Sequence, residues 1–482
     1  MPSPMVRQAF LTPREDNQAD TTWLESIQND GLANNALLTF TQANSSDRVS
    51  SETCKDANGS TVTTNFAEIA QFAAGQSGAA WLATGCTAGI RQINAVITPS
   101  DQFVQRLVLE IAGLSTAAPA SAVRTTVVPG SQAITGNVIT AGTLAGLTPG
   151  DWLIQIAFEE GGNPIPAGDI IPGSGWEPLT LNDTQGFYVQ TKIAQSASEV
   201  ASFTRPGSTG TWDTVAIAIK ADATKGDATQ ATLGNTFVRS VLGLYIAPNL
   251  GPIVPFHFPS KGNCLAGIFW QGTGTIKVVG VLDNQGNSWG TARAKASQTN
   301  GQIEAWSPGA SKTSPYLSGS VTFGDPIGSS AGGMLVFFDV MGTKSNNPIG
   351  ALSTVNNKGT QSVAGNVVTE SITPTGVGSA ILGGIIVNSH AVSGIAGGTK
   401  WLAAMGMYAN ADGAEQQMWD CDGTMVYYNG SDLSAQTPSY TTQHNTAGVG
   451  TWAAVAMEIL AETTLAAAQG QGNTLQMPWR LG

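Results

Sequence analysis

The chain has 482 residues, enough for three or four domains, and its formal net charge is −12 with only 11% charged residues. Nucleic-acid binding needs basic patches that displace counterions from phosphates, and 21 Lys and Arg against 33 Asp and Glu, with no basic run, argue against that partner. The most apolar stretch, residues 380–387, is far shorter than the roughly 20 residues of a membrane helix, and the N-terminal sequence lacks the layout of a signal peptide, so we expect neither membrane insertion nor classical secretion.

Short runs of alternating apolar and polar residues recur along the chain, for example at 152–157 and 214–219, and clusters of Gly, Pro, Asn and Asp separate them. The 3.6-residue period of Glu, Lys, Arg and Leu that is typical of helices is nearly absent. We therefore predict an all-β fold made of β-sandwiches. The low charge fits either a neutral polar exterior or a surface that neighbouring subunits cover.

The sequence also repeats itself in two interleaved patterns. Six pairs of segments carry the matches: 131–140 with 360–369, 175–176 with 400–401, 210–219 with 450–459, 56–60 with 283–287, 80–81 with 305–306, and 107–113 with 335–341. A period of this length is typical of tandem domains, since solenoid repeats run at about 20–50 residues.

We predict four tandem β-sandwich domains, Ig-like or jelly-roll-like, in an A-B-A-B arrangement. In chain order they are A1 (1–116), B1 (122–221), A2 (237–342) and B2 (350–461), followed by a C-terminal docking tail (462–482). Residues 116–121 and 222–236 have the composition of linkers, and the second is the expected joint between the two halves. The second B copy has extra residues between Trp401 and Trp452.

Six tryptophans recur at equivalent positions of the repeats, which indicates core residues: Trp81, Trp176, Trp212, Trp306, Trp401 and Trp452. The extra residues of B2 are the best candidates for ligand or partner binding, since added loop length at one end of a sandwich is where binding is grafted. The residues concerned are Trp419, Asp420, Asp422, Tyr427, Tyr428 and Asn429. Aromatic rings stack on sugar faces and the carboxylates accept hydroxyl hydrogens. Alternatively, the two tyrosines complete a longer hairpin and Trp419 covers the core.

The tail has apolar side chains without a core of its own, namely Met477, Trp479 and Leu481. Exposed apolar segments are costly unless they dock, so we predict an assembly tail that binds a neighbouring subunit. Folding back onto B2 is the alternative.

Four cysteines are present, without the spacing of a zinc site. Cys54 and Cys86 both lie in A1, where adjacent strands could bring them together as a disulfide. The alternative is two buried thiols that serve as small apolar residues.

Candidates for catalysis or metal binding are weak. His257, His390 and His444 lack metal-ligand spacing. Residues 328–332 match Gly-x-Ser-x-Gly, but a strand and not a helix is expected after them, so we interpret them as a hairpin loop. Residues 56–59 and 420–423 resemble partial calcium loops without the bidentate Glu, and ordinary Asp/Asn-Gly turns explain them better. We predict no catalytic residue, no metal and no cofactor.

Motifs in both module types resemble a known setting. The A pattern is an Asp-x-x-Gly turn, a mid-module Trp and a closing strand such as 107–113, and the B pattern includes 147–154, 172–176 and 211–219. Together they resemble the tandem β-sandwich modules of tailed-bacteriophage virion surface proteins and related bacterial surface proteins, although B2 has Gly378-Ser-Ala380 in place of the Gly-Asp-Trp of B1.

This resemblance implies a non-enzymatic structural protein on the particle surface, either a capsid decoration or a fibre or tail component. Its implied partners are other virion proteins of the capsid or tail, further copies of the chain as a homo-oligomer, and host surface glycans. No heptad pattern is present, which favours decoration over a trimeric fibre. A carbohydrate-binding adhesin that uses the extra residues of B2 is the alternative, and a β-sandwich hydrolase is the third function considered.

Overall fold

The structure is a computed structural model. It describes residues 4–12, 20–26, 33–43, 48–56, 60–74, 76–90, 92–101, 105–133, 137–159, 170–180, 187–206, 211–222, 224, 236–246, 252–258, 260, 262–271, 277–298, 301–314, 317–324, 333–358, 367–369, 371–388, 392–396, 401–406, 421–429, 439–442 and 452–462. The fold is all-β, as predicted, and the one α-helix among these residues is the single turn α1 (Pro119–Ala122), which begins in the predicted linker after A1 and ends at the first residue of B1.

The strands described in the first half are given in chain order. In A1 they are β1 (Met5–Thr12), β2 (Asp20–Ser26), β3 (Ala36–Ala43), β4 (Arg48–Lys55), β5 (Thr61–Val62), β6 (Ala67–Ala74), β7 (Gln76–Ala83), β8 (Gln92–Asp101) and β9 (Gln105–Ala112). In B1 they are β10 (Val123–Ala133), β11 (Val138–Ala145), β12 (Trp152–Glu159), β13 (Glu177–Thr180), β14 (Phe187–Ile193), β15 (Ser198–Thr204) and β16 (Thr211–Ile219).

The strands described in the second half follow the same plan. In A2 they are β17 (Phe237–Ile246), β18 (Ile253–Phe258), β19 (Cys264–Gln271), β20 (Val278–Asp283), β21 (Ala294–Gln298), β22 (Gly301–Ala310), β23 (Leu317–Phe323) and β24 (Gly333–Met341). In B2 they are β25 (Ile349–Lys358), β26 (Val367–Thr369), β27 (Ala380–Asn388), β28 (Val392–Ala396), β29 (Trp401–Gly406), β30 (Cys421–Asn429), β31 (Ser439–Thr442) and β32 (Trp452–Ile459).

A ten-stranded sheet, here called the central sheet, joins the two A segments. Its order is β21-β22-β19-β24-β17-β1-β9-β3-β7-β6, so equivalent strands of A1 and A2 stand at mirror positions about the centre. At that centre β1 pairs with β17 in parallel, with Ala9 opposite Leu242. A pseudo-twofold axis along these two strands relates the halves, because it keeps the strand direction and exchanges the two faces of the sheet.

Four smaller sheets cover the central sheet in the way that this axis requires. On one face lie the B1 inner sheet (β10-β16-β12-β14-β13) and the A2 cover (β18-β23-β20), and on the other lie the A1 cover (β2-β8-β4-β5) and the B2 inner sheet (β25-β32-β27-β30-β29). Phe40 of β3 meets Phe158 of β12 on the first face, with ring centroids 6.3 Å apart. Strands such as β3 and β12 are therefore buried along their whole length, since sheets pack on both of their faces.

A further layer lies outside each inner sheet. The B1 outer sheet (β11-β15) packs Leu144 and Ala201 against Leu153 of the B1 inner sheet. The B2 outer sheet (β26-β31-β28) is its counterpart. Each half thus stacks four layers, with the halves turned over relative to each other.

The predicted segment boundaries are crossed by bonds and by hydrophobic cores. Isolated bridges join Leu114 to Ala221 and Thr343 to Ala461, which ties each A segment to its B segment. Apolar clusters run continuously from A1 through B1 into A2 on one face, and from A1 through A2 into B2 on the other. The division into four independent domains stays a prediction. Each of the two largest apolar clusters contains residues from three of the four segments.

Candidate functional site

Three large apolar side chains are exposed on the outer side of the A2 cover. Leu282, Val279 and Ile253 are 68%, 54% and 53% exposed. Across the three strands, Leu282 of β20 lies opposite Ser320 of β23, and Ser320 lies opposite Pro255 of β18. Strand alternation puts Leu282, Ser320 and Pro255 on the side away from the core. Val279 is the extra residue at the bulge between Val278 and Gly280 and is exposed as well.

We call this surface the A2 cover face, defined by Ile253, Pro255, Val279, Leu282, Ser320 and Thr322. Thr322 lies opposite Ile253 in the strand pairing, so apolar side chains of the two edge strands flank small hydroxyl side chains of the central strand. Large apolar side chains that cluster on a protein surface mark interaction sites.

The inner side of the same cover holds it rigidly on the central sheet. Val254, Val281 and Val321 point inward, and the ring of Phe256 stacks on Phe337 of β24 with centroids 4.2 Å apart. On β23, a Cβ at Gly319 would clash with the backbone oxygen of Leu282 and the ring of Phe256. The glycine therefore lets the three strands approach closely.

The turn after β20 fixes the end of the face beside Leu282. The carboxylate of Asp283 accepts four hydrogen bonds, from the backbone N–H groups of Gln285 (3.0 Å) and Asn287 (3.1 Å), from Nδ2 of Asn287 (3.0 Å) and from Nε1 of Trp289 (2.7 Å). Trp289 is buried against Phe337. The Asp-x-x-Gly segment of A2 is thus a turn whose carboxylate is saturated by its own loop.

The A1 cover supplies an internal comparison on the same scaffold. Its Asp56 also caps a turn, with the Ser60 N–H donating to Oδ1 at 2.9 Å, and Lys55 precedes it as Leu282 precedes Asp283. Arg48, Ser50 and Thr53 are the other outward side chains of β4, and all three are exposed. Since the fold tolerates a polar and basic exterior here, the apolar exterior of the A2 cover is not a requirement of folding.

The structure places four of the predicted binding residues of B2 in a strand. Asp422, Tyr427, Tyr428 and Asn429 belong to β30, which pairs with β27 on one side and β29 on the other. This placement agrees with the alternative in which the two tyrosines complete a longer hairpin. Their side chains lie outside the described residues.

The remaining members of that set, Trp419 and Asp420, lie outside the described residues, and so do the tail residues Met477, Trp479 and Leu481. Residues 421–423 belong to strand β30, so the expected turn is not found at those three residues. Binding by the B2 residues and docking by the tail both stay predictions.

Cys54 and Cys86 are free thiols in one buried cluster between the central sheet and the A1 cover, together with apolar residues such as Ile93 and Val108. Burial raises the pKa of each thiol to about 12. The structure thus has two buried thiols and not the disulfide that was one of the two alternatives.

The other sequence candidates are divided between described and undescribed residues. Trp176, Trp212, Trp306 and Trp452 are buried, as predicted for core positions. Trp81 is half-buried, and the side chain of Trp401 lies outside the described part.

Of the histidines, His257 lies in β18 opposite Ser318, with its side chain outside the described part, whereas His390 and His444 fall entirely outside it. Residues 328–332 are also undescribed, but the predicted strand after them is confirmed as β24. Among the described residues, no three His, Cys, Asp or Glu side chains are grouped so that they could hold a metal ion.

Two buried arginines of A1 form ion pairs with buried carboxylates of the same segment. Arg106 forms an ion pair with Glu52 between the central sheet and the A1 cover, and Thr39 donates to the same carboxylate at 2.8 Å. Burial is the main influence on Glu52 and raises its pKa despite the nearby guanidinium. Arg7 and Asn35 likewise donate to Glu110.

Comparison with known proteins adds no identity. No protein-family model matches the chain, and no curated protein matches it either. Within the described part of the chain, no helix has the length and apolar character needed to cross a bilayer.

Sequence reasoning missed the A2 cover face, although one signal was available. The Asp56 and Asp283 turns are equivalent in the two A segments. The residue before the turn is Lys55 in A1 and Leu282 in A2. A lysine replaced by a leucine on an outward strand position indicates a surface with a different role.

Proposed function

We propose that the chain is a non-enzymatic structural component of a tailed-phage virion, carried on the particle surface. The sequence resemblance to virion surface modules supports this proposal. The observation that carries it furthest is the parallel pairing of β1 with β17, which fuses two equivalent A-B units into one layered body.

This architecture suits a building part. Backbone bridges join each A segment to its B segment, and the central sheet joins the two halves, so the described segments are held to one another. The A2 cover face is an uncharged apolar surface on this body, and such a surface favours stable packing against an apolar segment.

The test is the location of the protein in an infected culture. Antibodies raised against the purified chain should label intact, gradient-purified particles, and mass spectrometry of those particles should recover its peptides. Particles from a phage that lacks the gene are the matched control. Recovery of the protein only from cell envelopes, or its export by intact cells, would overturn the proposal.

A further inference from the structure

We propose that the A2 cover face is the docking site of the chain's own C-terminal segment, residues 475–481. This inference stands independently of the virion assignment, since it concerns two parts of one chain. This segment lies outside the described residues, but its pattern of apolar and polar side chains is given by the sequence.

The segment has the pattern of a single extended strand with one apolar side. Leu475, Met477, Trp479 and Leu481 alternate strictly with Gln476, Pro478 and Arg480. In an extended chain all four apolar side chains point to one side. Arg480 is the one Lys, Arg, Asp or Glu among residues 463–482, and it falls on the opposite, polar side.

The face and the segment match in charge and in length. No Lys, Arg, Asp or Glu belongs to the A2 cover face as defined, so the apolar side of the segment would cover it without burying a charge. Seven extended residues measure about 20 Å, and β20 with six residues measures about the same. Pro478, which has no N–H to donate, fits a strand that has at least one unpaired edge.

The segment also starts from a suitable place. Glu462, the last described residue, donates its backbone N–H to Gly342 O at 2.8 Å, just beyond the end of β24. The same corner reaches the A2 cover, since Gly262 donates to Asp339 of β24 at 2.8 Å and Ser260 donates to Ser314 O at 2.9 Å. Stacked sheets are about 10 Å apart, whereas the thirteen residues from 463 to 475 can span about 40 Å. The segment can therefore reach the face of its own chain or that of a neighbour.

The comparison between copies explains why the face would be apolar. The A1 cover has Lys55 at the position of Leu282, and B1 is followed by residues 222–236, which contain no aromatic side chain and so no counterpart of Trp479. The copy that is followed by an apolar tail has Leu282 at this strand position, whereas the copy without such a tail has Lys55. Leu282 on the cover and the apolar C-terminal segment therefore occur in the same half of the chain, as expected for a binding site and the segment that binds it.

The experiment is hydrogen–deuterium exchange of the full chain, read on peptides that cover the last residues. In the unaltered protein the amides of 475–481 should exchange on the order of tenfold more slowly than in Trp479→Ala or Leu282→Lys. Leu282→Lys is compatible with the fold, because A1 carries Lys55 there. Leu352→Lys is the matched control: Leu352 is 45% exposed on β25, away from the face, and its replacement should leave the exchange of the tail unchanged.

Two results would overturn the inference. One is a tail that exchanges at the rate of free peptide in the unaltered protein. The other is a loss of self-association in Leu282→Lys but not in Trp479→Ala, measured by sedimentation, which would assign the face to a contact between two A2 covers. Tail protection that survives dilution indicates docking within one chain, and protection that dilution abolishes indicates docking on a neighbour; both support the site.

Discussion

The carboxylate of Glu458 occupies the space that the missing side chain of Gly350 leaves open. A Cβ on Gly350 would clash with Oε2 of Glu458. The carboxylate then receives donors from β25 and from the loop before β27: the N–H groups of Ala351 (2.8 Å), Thr375 (2.9 Å) and Gly376 (3.0 Å) and the hydroxyl of Thr375 (2.8 Å). One side chain of β32 thereby clamps that loop to the B2 inner sheet.

B1 fixes the equivalent loop with different residues. Arg124 takes the place of Gly350, since each follows the first paired residue of its strand, and its Nε donates to Asp151 at 2.9 Å. Asp151 in turn accepts from the Thr148 N–H at 2.8 Å. In B1 the carboxylate that holds the loop belongs to the loop itself, whereas in B2 it belongs to a strand of the inner sheet. Both copies therefore attach the loop to the inner sheet through a carboxylate, but from opposite sides of the contact.

We expect Glu458→Gln to lower the free energy of unfolding by about 2 kcal/mol at pH 7, because hydrogen bonds to a charged group are lost and the new amide faces donors. Backbone and hydroxyl donors outweigh the effect of burial and lower the pKa of Glu458 from its ordinary 4.5. The stabilisation is therefore complete above pH 4.5 and is lost as the pH falls through the lower pKa of the folded state. Urea unfolding should show a larger difference between the two proteins at pH 7 than at pH 3. Equal stabilities at pH 7 would contradict the clamp.

We expect Gly350→Ala to destabilise the protein by about 1–3 kcal/mol, since a methyl group would displace the Glu458 carboxylate from its donors. Gly280→Ala is the matched control on another strand, because a Cβ there meets nothing within 4 Å. Thermal unfolding of both variants measures the contrast. Similar midpoints for the two would show that the space beside Gly350 is not needed.

The buried Arg106–Glu52 pair predicts strong coupling between its members. Arg106→Leu alone should cost about 3–5 kcal/mol, since it leaves Glu52 buried and unpaired. Adding Glu52→Val should recover most of that loss, because A2 has the buried apolar Leu335 in the strand position of Arg106. A double-mutant cycle in urea gives the coupling, and additive losses would show that the pair is not stabilising as a unit.

The thiols of Cys54, Cys86 and Cys264 should be unreactive in the folded protein. All three are buried, and burial raises the pKa of each to about 12, so almost no thiolate is present at pH 8. Titration with a coloured disulfide reagent should detect at most one thiol before unfolding and four after it. A count of two after unfolding without reductant would instead indicate a disulfide.

The seam between β1 and β17 should hold the halves together without a covalent link. A protease site inserted within residues 225–235 of the full chain, cut after purification, should leave one particle with the elution volume of the uncut protein. Leu242, which is 1% exposed at the seam, is the test position, and Leu242→Asp should release the halves after cutting. The exposed Leu352→Asp is the control and should release nothing. Separation of the unaltered protein on cutting would mean that the central sheet does not join the halves.

The candidate site shows where sequence reasoning succeeded and where it failed. The Asp283 turn and the buried Trp306 followed from local motifs. For Tyr427 the sequence left a longer hairpin and an inserted loop open, because both change the repeat spacing in the same way, and the structure places it in a paired strand. Leu282 was visible only by comparison with Lys55, and its exposure depends on which side of β20 faces the core.

By itself the sequence determined the strands, the turns and the duplication, since alternation, turn residues and repeated motifs are properties of neighbouring residues. Only the tertiary structure decided that β1 and β17 pair, that the B1 and B2 inner sheets lie on opposite faces of the central sheet, and that strands such as β3 are covered on both sides. An apolar strand face indicates that the face is buried, but it does not indicate which other element covers it. The choice of cover depends on packing between residues hundreds of positions apart, which no local pattern encodes.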